Sequence, residues 1–371
     1  MTSDSKLASR VNHHVHIIGT GLLGASIGLG LREHGTEVTL EDISPAALDL
    51  AIDYGAGRRL TPEDKPALVI IATPPDVVGE VIAQALKRFP EAYVTDVTSV
   101  KLAPYRQLLD RGINLDRYVG SHPMAGRERG SAVMARADMF VGRPWVICRD
   151  AKTPAAALAA VESVALQLGA TPTEWDPAQH DQAVALVSHV PQLTASLLAA
   201  QLNRAAEQHI ALAGGGIRDT TRIADSDPQL WVQILGANSE AVAAILRQLR
   251  SDLDNTITAL TDTDAQGAKK TIAELLTAGN AGVRRLPGKH GSAARFTSFT
   301  VIVDDTPGQL ARLLTDLGEL QINMEDLRLE HSPGAQIGFA EVSVLPEVAA
   351  AAVNGLQELG WRILDWSRDE Q

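Results

Sequence analysis

A glycine-rich turn near the N-terminus constrains this chain more than any other segment. Val15-His16-Ile17-Ile18 reads as a short buried strand, and a helical pattern covers about residues 22–34. Between them runs Gly19-Thr20-Gly21-Leu22-Leu23-Gly24, a G-x-G-x-x-G spacing. Such a triplet alone says little, but after a strand and at the start of a helix it predicts a dinucleotide site. Gly19 permits the tight turn, Gly21 lets backbone approach a pyrophosphate, and Gly24 allows helix and strand to pack closely. Leu22 and Leu23 begin the helix, whose first N–H groups and positive dipole end face the phosphates. Asp42 ends the second strand, Glu37-Val38-Thr39-Leu40-Glu41, about 20 residues on, where an acid can accept from the ribose hydroxyls. A carboxylate there repels a 2′-phosphate, and Ile43-Ser44-Pro45 brings no arginine to offset it. NAD is therefore expected over NADP, with Glu41 the alternative acid if the strand register slips by one.

The texture around this turn sets the architecture. The first half alternates short apolar runs with helical patterns, the signature of βαβ units and a parallel sheet. Leu68-Val69-Ile70-Ile71-Ala72 suits a central strand, Tyr93 to Val97 and Pro144 to Cys148 are further strands, and a short one near Thr173-Glu174-Trp175 closes the domain. Thr73 and Pro74, just past the Leu68 strand, fall at the carboxyl edge where such sheets bind ligands, and join the expected cofactor set. From about Pro177 strand signals vanish and Ala/Leu-rich helical patterns take over. The last 75 or so residues restart as βαββαβ, the split ferredoxin-like order. Phe296–Val303, Ile322–His331, Ile337–Leu345 and Trp361–Trp366 read as its strands, with helices opening at Thr306-Pro307 and at about 347. The fold class expected is thus α/β: a Rossmann-type dinucleotide-binding domain over 13–176, an all-α second domain over 177–280, a linker over 281–294 and a ferredoxin-like domain over 295–371. That linker contains Pro287-Gly288 and the basic residues Arg284, Arg285 and Lys289.

Composition narrows the function classes. A net charge of -12 argues against a nucleic-acid partner, which needs a basic face. The single cysteine, Cys148, excludes an intramolecular disulfide and reads as a buried strand residue. The polar N-terminus carries no apolar signal core, and no stretch approaches the roughly 20 apolar residues that span a bilayer, so a cytoplasmic protein without a membrane or metal site is expected.

Three clusters carry chemistry. Asp96-Val97-Thr98-Ser99-Val100-Lys101 follows a strand. Gly120-Ser121-His122-Pro123-Met124-Ala125-Gly126 puts a histidine in a glycine-bounded loop beyond the nucleotide-binding sheet. Arg218-Asp219-Thr220-Thr221-Arg222-Ile223-Ala224, then Ser226-Asp227-Pro228 and Trp231, lies in the helical half. A near-neutral imidazole suits proton abstraction, and a planar guanidinium suits carboxylate recognition.

With these runs on the page the chain resembles the prephenate dehydrogenase family, from Val15 to about Ala281, and its C-terminal segment looks like an ACT-type regulatory domain. The resemblance implies NAD-dependent oxidative decarboxylation of prephenate to 4-hydroxyphenylpyruvate in tyrosine biosynthesis. It assigns His122 as the base for the ring hydroxyl, Ser99 as the residue orienting that histidine, and Arg222 as the binder of the ring carboxylate. His189, in Ser188-His189-Val190-Pro191-Gln192, matches a pocket motif in which Gln192 stands where some relatives carry a second histidine. Arg218, Asp219 and Trp231 complete the expected substrate set. Thr98 departs from the usual glycine and Arg127 from a small hydroxyl residue. ACT-type domains bind an amino acid between the loop before the first helix and the start of the next strand, usually across a domain pair. That implies an effector site at Thr306, Pro307, Gly308, Asn323 and Met324, tyrosine as effector, and a homodimer. The alternatives are arogenate dehydrogenase, a hydroxyacid dehydrogenase of the 6-phosphogluconate type, which normally relies on a helical-domain lysine, and a non-catalytic nucleotide and amino-acid sensor.

Overall fold

The computed structural model describes residues 10–11, 13–125, 132–149, 153–286, 296–331 and 337–364. The chain divides into two units, Met1–Ala206 with Thr220–Arg250, and Glu207–Asp219 with Ser251–Gln371.

The first unit is built on an eight-stranded sheet of β1 (Val15–Ile18), β2 (Val38–Glu41), β3 (Arg58–Arg59), β4 (Leu68–Ile71), β5 (Tyr93–Asp96), β6 (Tyr118–Pro123), β7 (Pro144–Cys148) and β8 (Thr171–Trp175). Their spatial order is β3-β2-β1-β4-β5-β6-β7-β8, and only the β6–β7 pair is antiparallel. The first six strands follow the Rossmann order, which reverses between β1 and β4 and opens a ligand crevice there. The central strand β4 is buried along its whole length, as a sheet covered on both faces requires. Helices α1 (Leu22–Glu33), α2 (Pro45–Asp53), α3 (Val78–Arg88), α4 (Leu102–Asp110) and α5 (Ala155–Gln167) cover it. One core gathers Ile17, Ile27, Leu31 and Trp145, and the other Ile71, Ile82, Leu86 and Leu108. The sequence reading omitted the two-residue β3 and helices α3 and α4.

A helical stretch follows: α6 (Pro177–Val184), a π-helical turn over Ala185–His189, and α7 (Val190–Leu202). Asp176 caps α6 by accepting from the N–H groups of Ala178 and Gln179, and Pro177 occupies the first helical position. The π turn stops just before Pro191, which lacks an N–H and whose ring crowds the carbonyl one turn back; the wider turn relieves both. Together these 26 residues are long and apolar enough to cross a bilayer by length and composition, contrary to the expectation that no such stretch exists. Four of its polar residues, His180, Asp181, His189 and Gln192, are buried and hydrogen-bonded, which marks it as a core helix. Beyond it come α8 (Glu207–Ile210), α9 (Gly215–Thr221), a 3-10 turn over Arg222–Ala224, α10 (Pro228–Ala237), α11 (Ser239–Thr261) and α12 (Ala268–Val283). The last of these helices extends into the segment read as a linker, of which residues 287–294 lie outside the described residues.

The C-terminal part of the second unit comprises β9 (Thr297–Asp304), α13 (Gln309–Glu319), β10 (Met324–His331), β11 (Ile337–Val344), α14 (Pro346–Glu358) and β12 (Arg362–Leu364). Its sheet runs β10-β11-β9-β12 with antiparallel pairs throughout, the ferredoxin-like arrangement expected. Residues Phe299, Val301 and Val303 alternate inward from β9 to meet Leu313 and Leu317 of α13 and Leu356 of α14. Helix α13 starts at Gln309 rather than Thr306 because Gly308, at φ +93°, holds a left-handed turn before it.

Candidate active site

The predicted cofactor residues converge on the crevice of the first unit. Gly19 adopts φ +99°, and a Cβ there would stand 2.6 Å from the Ala72 carbonyl oxygen, so the turn after β1 admits only glycine. A Cβ on Gly24 would lie within 1.9 Å of the Gly19 carbonyl, which is how closely α1 packs on the strand turn. Gly21 faces open space, and no side chain caps the N-terminus of α1 at Leu22 and Leu23. That leaves helix N–H groups available to an anion. Asp42 is held from both sides: its Oδ2 accepts from the Thr20 N–H at 2.7 Å and hydroxyl at 2.8 Å, and its Oδ1 from the Ser44 N–H at 2.8 Å. Glu41 is engaged elsewhere, beside His16 Nε2 at 3.5 Å and accepting from Arg88 at 2.7 Å; these contacts bring its carboxyl down to about 2. Glu41 is thus occupied by Arg88, while Asp42 faces the glycine turn. Thr73 carries a buried hydroxyl oxygen with no partner, and Pro74 is exposed beside it. An orphan polar atom, an open glycine and an uncapped helix in one crevice fit a dinucleotide.

The loop after β5 rests on a buried polar network. Asp96 Oδ1 accepts from the Lys101 ammonium and from the Thr98 N–H at 3.0 Å, and its Oδ2 from the Tyr118 hydroxyl at 2.7 Å. The side chains of Lys101 and Asp96 are both 0% exposed. Thr98 also donates its hydroxyl to Asp96, so the residue that departs from the family pattern serves this network rather than the pocket. Ser99, half-buried, tips the loop.

His122 lies on β6, at the strand's only position that is not fully buried. Its Nδ1 is 2.9 Å from Nε2 of His180, whose Nδ1 is 2.7 Å from Asp181 Oδ1. Asp181 in turn accepts the N–H groups of Lys101 and Leu102, each at 2.9 Å. Among the described residues the hydrogen-bond partner of the His122 ring is His180, and Ser99 makes no hydrogen bond to it. Burial, with His180, Lys101 and His189 close by, holds His122 well below the usual histidine range. His189, on the π turn, is buried and brought down to about 4 by desolvation. Its Nδ1 faces Asn238 Nδ2 at 3.2 Å, and the same amide donates to the Asp181 carbonyl at 2.7 Å. The carbonyl can only accept, so the amide nitrogen is the donor to His189, and the His189 proton sits on Nε2. Trp231 stacks edge-on against His189 with ring centres 6.1 Å apart, and Gln192 donates to the Ser226 hydroxyl at 2.7 Å.

Arg222 opens the 3-10 turn, exposed, on a segment packed against α7. Arg218 and Asp219 are exposed on α9 and belong to the second unit. Arg127 lies outside the described residues. Cys148 is buried, its thiol pushed up to about 12 by desolvation, consistent with an inert strand residue. His180, Asp181 and Asn238 were missing from the sequence reading, which named Asp96 and Lys101 as ends of a cluster but not as a buried pair; the adjacent His180-Asp181 pair inside an apolar helix was the available signal.

Two family models match the chain: "Prephenate dehydrogenase, nucleotide-binding domain" over residues 27–173 and "Prephenate dehydrogenase, dimerization domain" over residues 176–276. The chain belongs to the prephenate dehydrogenase family. A probable prephenate dehydrogenase of Streptomyces niveus is 34% identical over 353 residues, covering 93% of this chain and 98% of the relative. The crystal structure of prephenate dehydrogenase from A. aeolicus in complex with hydroxyphenyl propionate and NAD+ is 26% identical with TM-score 0.63, over 73% of this chain and 98% of that one. Synechocystis arogenate dehydrogenase is likewise 26% identical, with TM-score 0.59 over 73% and 99% of the respective chains. As a prephenate dehydrogenase the chain is an NAD-dependent enzyme of aromatic amino acid biosynthesis.

Proposed function

We propose that the chain oxidatively decarboxylates prephenate to 4-hydroxyphenylpyruvate with His122 as the base. The observation that carries this reading is the chain of contacts on His122 Nδ1, which leaves Nε2 as the nitrogen available to a substrate hydroxyl. NAD, which Gly19, Gly21, Gly24 and Asp42 would hold, would supply the acceptor for the hydride of the hydroxyl-bearing ring carbon. His122 takes the hydroxyl proton, the ring carboxylate leaves as carbon dioxide, and the proton returns to the ring oxygen as the ring becomes aromatic. The depressed affinity of His122 for protons keeps it in the neutral, base-competent form at pH 7. His189 offers its Nε2–H to the substrate side chain, flanked by Trp231 and Gln192. Arg222 binds the ring carboxylate, with Ser99 at the substrate hydroxyl. Arogenate, which carries an amino group in place of the keto group, is the second reading, supported by the likeness to the Synechocystis enzyme. His122→Asn should lower kcat by about 10²–10⁴-fold and leave the Kd for NAD unchanged. A variant that keeps most of its turnover removes His122 from the chemistry.

The remaining parts of the proposal concern assembly and control. The domains over 13–176, 177–280 and 295–371 bind cofactor, build the substrate pocket and dimer, and regulate. Homodimerisation is supported by apolar side chains left bare on the helices, including Leu186 at 60%, Leu197 at 61% and Val232 at 71% exposure. A cytoplasmic setting accords with the bacterial metabolic relatives. The C-terminal unit is an ACT-type domain that binds tyrosine. Its register separates the two halves of the effector site: Thr306, Pro307 and Gly308 follow Asp304, opposite Ile337, whereas Asn323 and Met324 lie at the end where Val344 pairs with Thr297. At about 3.3 Å per residue the ends of β9 stand roughly 23 Å apart. One effector would therefore touch both segments only across two copies of the domain.

A further inference from the structure

We propose that His180 and Asp181 are positioning residues that hold His122 in the Nδ1–H tautomer and so leave its Nε2 as the proton acceptor. The inference rests on the reading of His122 as the base and extends it to two residues that touch neither substrate nor cofactor in that reading.

Asp181 accepts backbone N–H groups on both carboxylate oxygens, from Lys101 on Oδ1 and Leu102 on Oδ2. Asp181 is thereby committed as an acceptor, and His180 Nδ1, 2.7 Å from Oδ1, must carry a hydrogen. A neutral His180 then has its lone pair on Nε2. That lone pair lies 2.9 Å from His122 Nδ1, so the proton between the rings belongs to His122. The lone pair of His122 is left on Nε2. The rings meet nearly edge-on, at 82° with centres 5.2 Å apart, an arrangement in which one ring can aim an N–H at the other's nitrogen. Both His180 and Asp181 are almost wholly buried, at 1% and 3% exposure, so water does not compete for these bonds.

The surroundings give the arrangement a second role. His122 faces Lys101, His180 and His189, a set without a carboxylate, and the buried ammonium of Lys101 is already paired with Asp96. When His122 takes the substrate proton, its new positive charge can be shared through Nδ1–H with His180, whose far nitrogen is bonded to the Asp181 carboxylate. Asp181 thus reaches the base through one intervening ring, while the protons and electrons of the reaction remain as in the step above.

The direct test needs no variant. Full-length protein labelled with 15N at histidine gives long-range 1H–15N correlations that distinguish a protonated from an unprotonated ring nitrogen, with His122 assigned by its loss in His122→Asn. The expected result at pH 7 is His122 with Nδ1 protonated and Nε2 bare. Nε2 protonated and Nδ1 bare would overturn the proposal, whatever the turnover. In Asp181→Leu the His180 Nδ1–H loses its acceptor, so neither ring's tautomer is fixed any longer. That variant should show mixed His122 correlations and a kcat lower by up to about 10⁴-fold with an unchanged Kd for NAD, on the scale of the wrong-tautomer effect in a catalytic triad; a folded variant with wild-type correlations would overturn the proposal. His180→Gln, whose carbonyl oxygen can still accept from His122, should retain more turnover than His180→Leu. Equal turnover of those two, with both folded by circular dichroism, would also overturn the proposal. Failure of the base reading looks different: His122→Asn would then retain turnover although the wild-type correlations match expectation.

Discussion

Lys101→Met tests the buried network that carries the loop after β5. In the wild type Lys101 and Asp96 are paired at zero exposure, and the Thr98 and Tyr118 hydroxyls complete the carboxylate's partners. Methionine keeps most of the aliphatic stem but removes the cation, leaving a buried carboxylate with neutral donors only. Breaking a buried pair in this way costs about 3–5 kcal/mol. For a unit of this size each kcal/mol shifts Tm by about 2–4 °C, so the melting point of the first unit should drop by roughly 6–20 °C. Calorimetry, with urea titration as a check, measures this directly. Lys101→Met combined with Asp96→Asn removes both charges and should recover much of the loss, because a neutral replacement of a whole pair is often nearly neutral in stability. A single variant that loses less than about 1 kcal/mol, or a double variant no better than the single, would show that the pair is not what holds this loop.

Four further outcomes are expected. Asp42→Ser should reduce discrimination against NADP, read as the ratio of kcat/KM for the two cofactors; an undiminished ratio would point to a different discriminator. For pH, turnover should be level from neutrality down to the ordinary histidine pKa of about 6.5 and fall only below it, as His122 becomes protonated. His189 binds its proton only near 4, so the unfolded chain takes up more protons between about 6.5 and 4, and stability must fall as pH drops through that window. The decline in Tm should be shallower in His189→Asn, and equal slopes would contradict it. Deleting residues beyond about Ala294 should leave an enzyme insensitive to tyrosine, whereas equal inhibition of full-length and truncated forms would place tyrosine at the active site.

What the sequence made legible was whatever repeats a local rule. The glycine turn, the Asp42 position and the βαββαβ order all announce themselves through spacing and periodicity. His122 stood out as a candidate base too, although the segment read as a loop forms strand β6. The network behind it did not, because Asp96, Lys101 and Tyr118, or His122, His180 and Asp181, meet only when separate strands and helices pack. The run Pro177–Leu202 was read as helical, but its length and apolar content were underrated, and its buried polar residues find partners on β6, at Asn238 and in the loop after β5. No motif pointed to His180 either, the ring partner of His122 from 58 positions away.

The measurement closest to the chemistry is initial-rate NADH formation from prephenate and from arogenate, each with NAD and with NADP, on the full-length dimer. Prephenate with NAD should give the highest kcat/KM of the four combinations, and His122→Asn should abolish most of it. Turnover of arogenate in preference to prephenate would contradict the substrate assignment, and no turnover of either would contradict the enzyme reading itself.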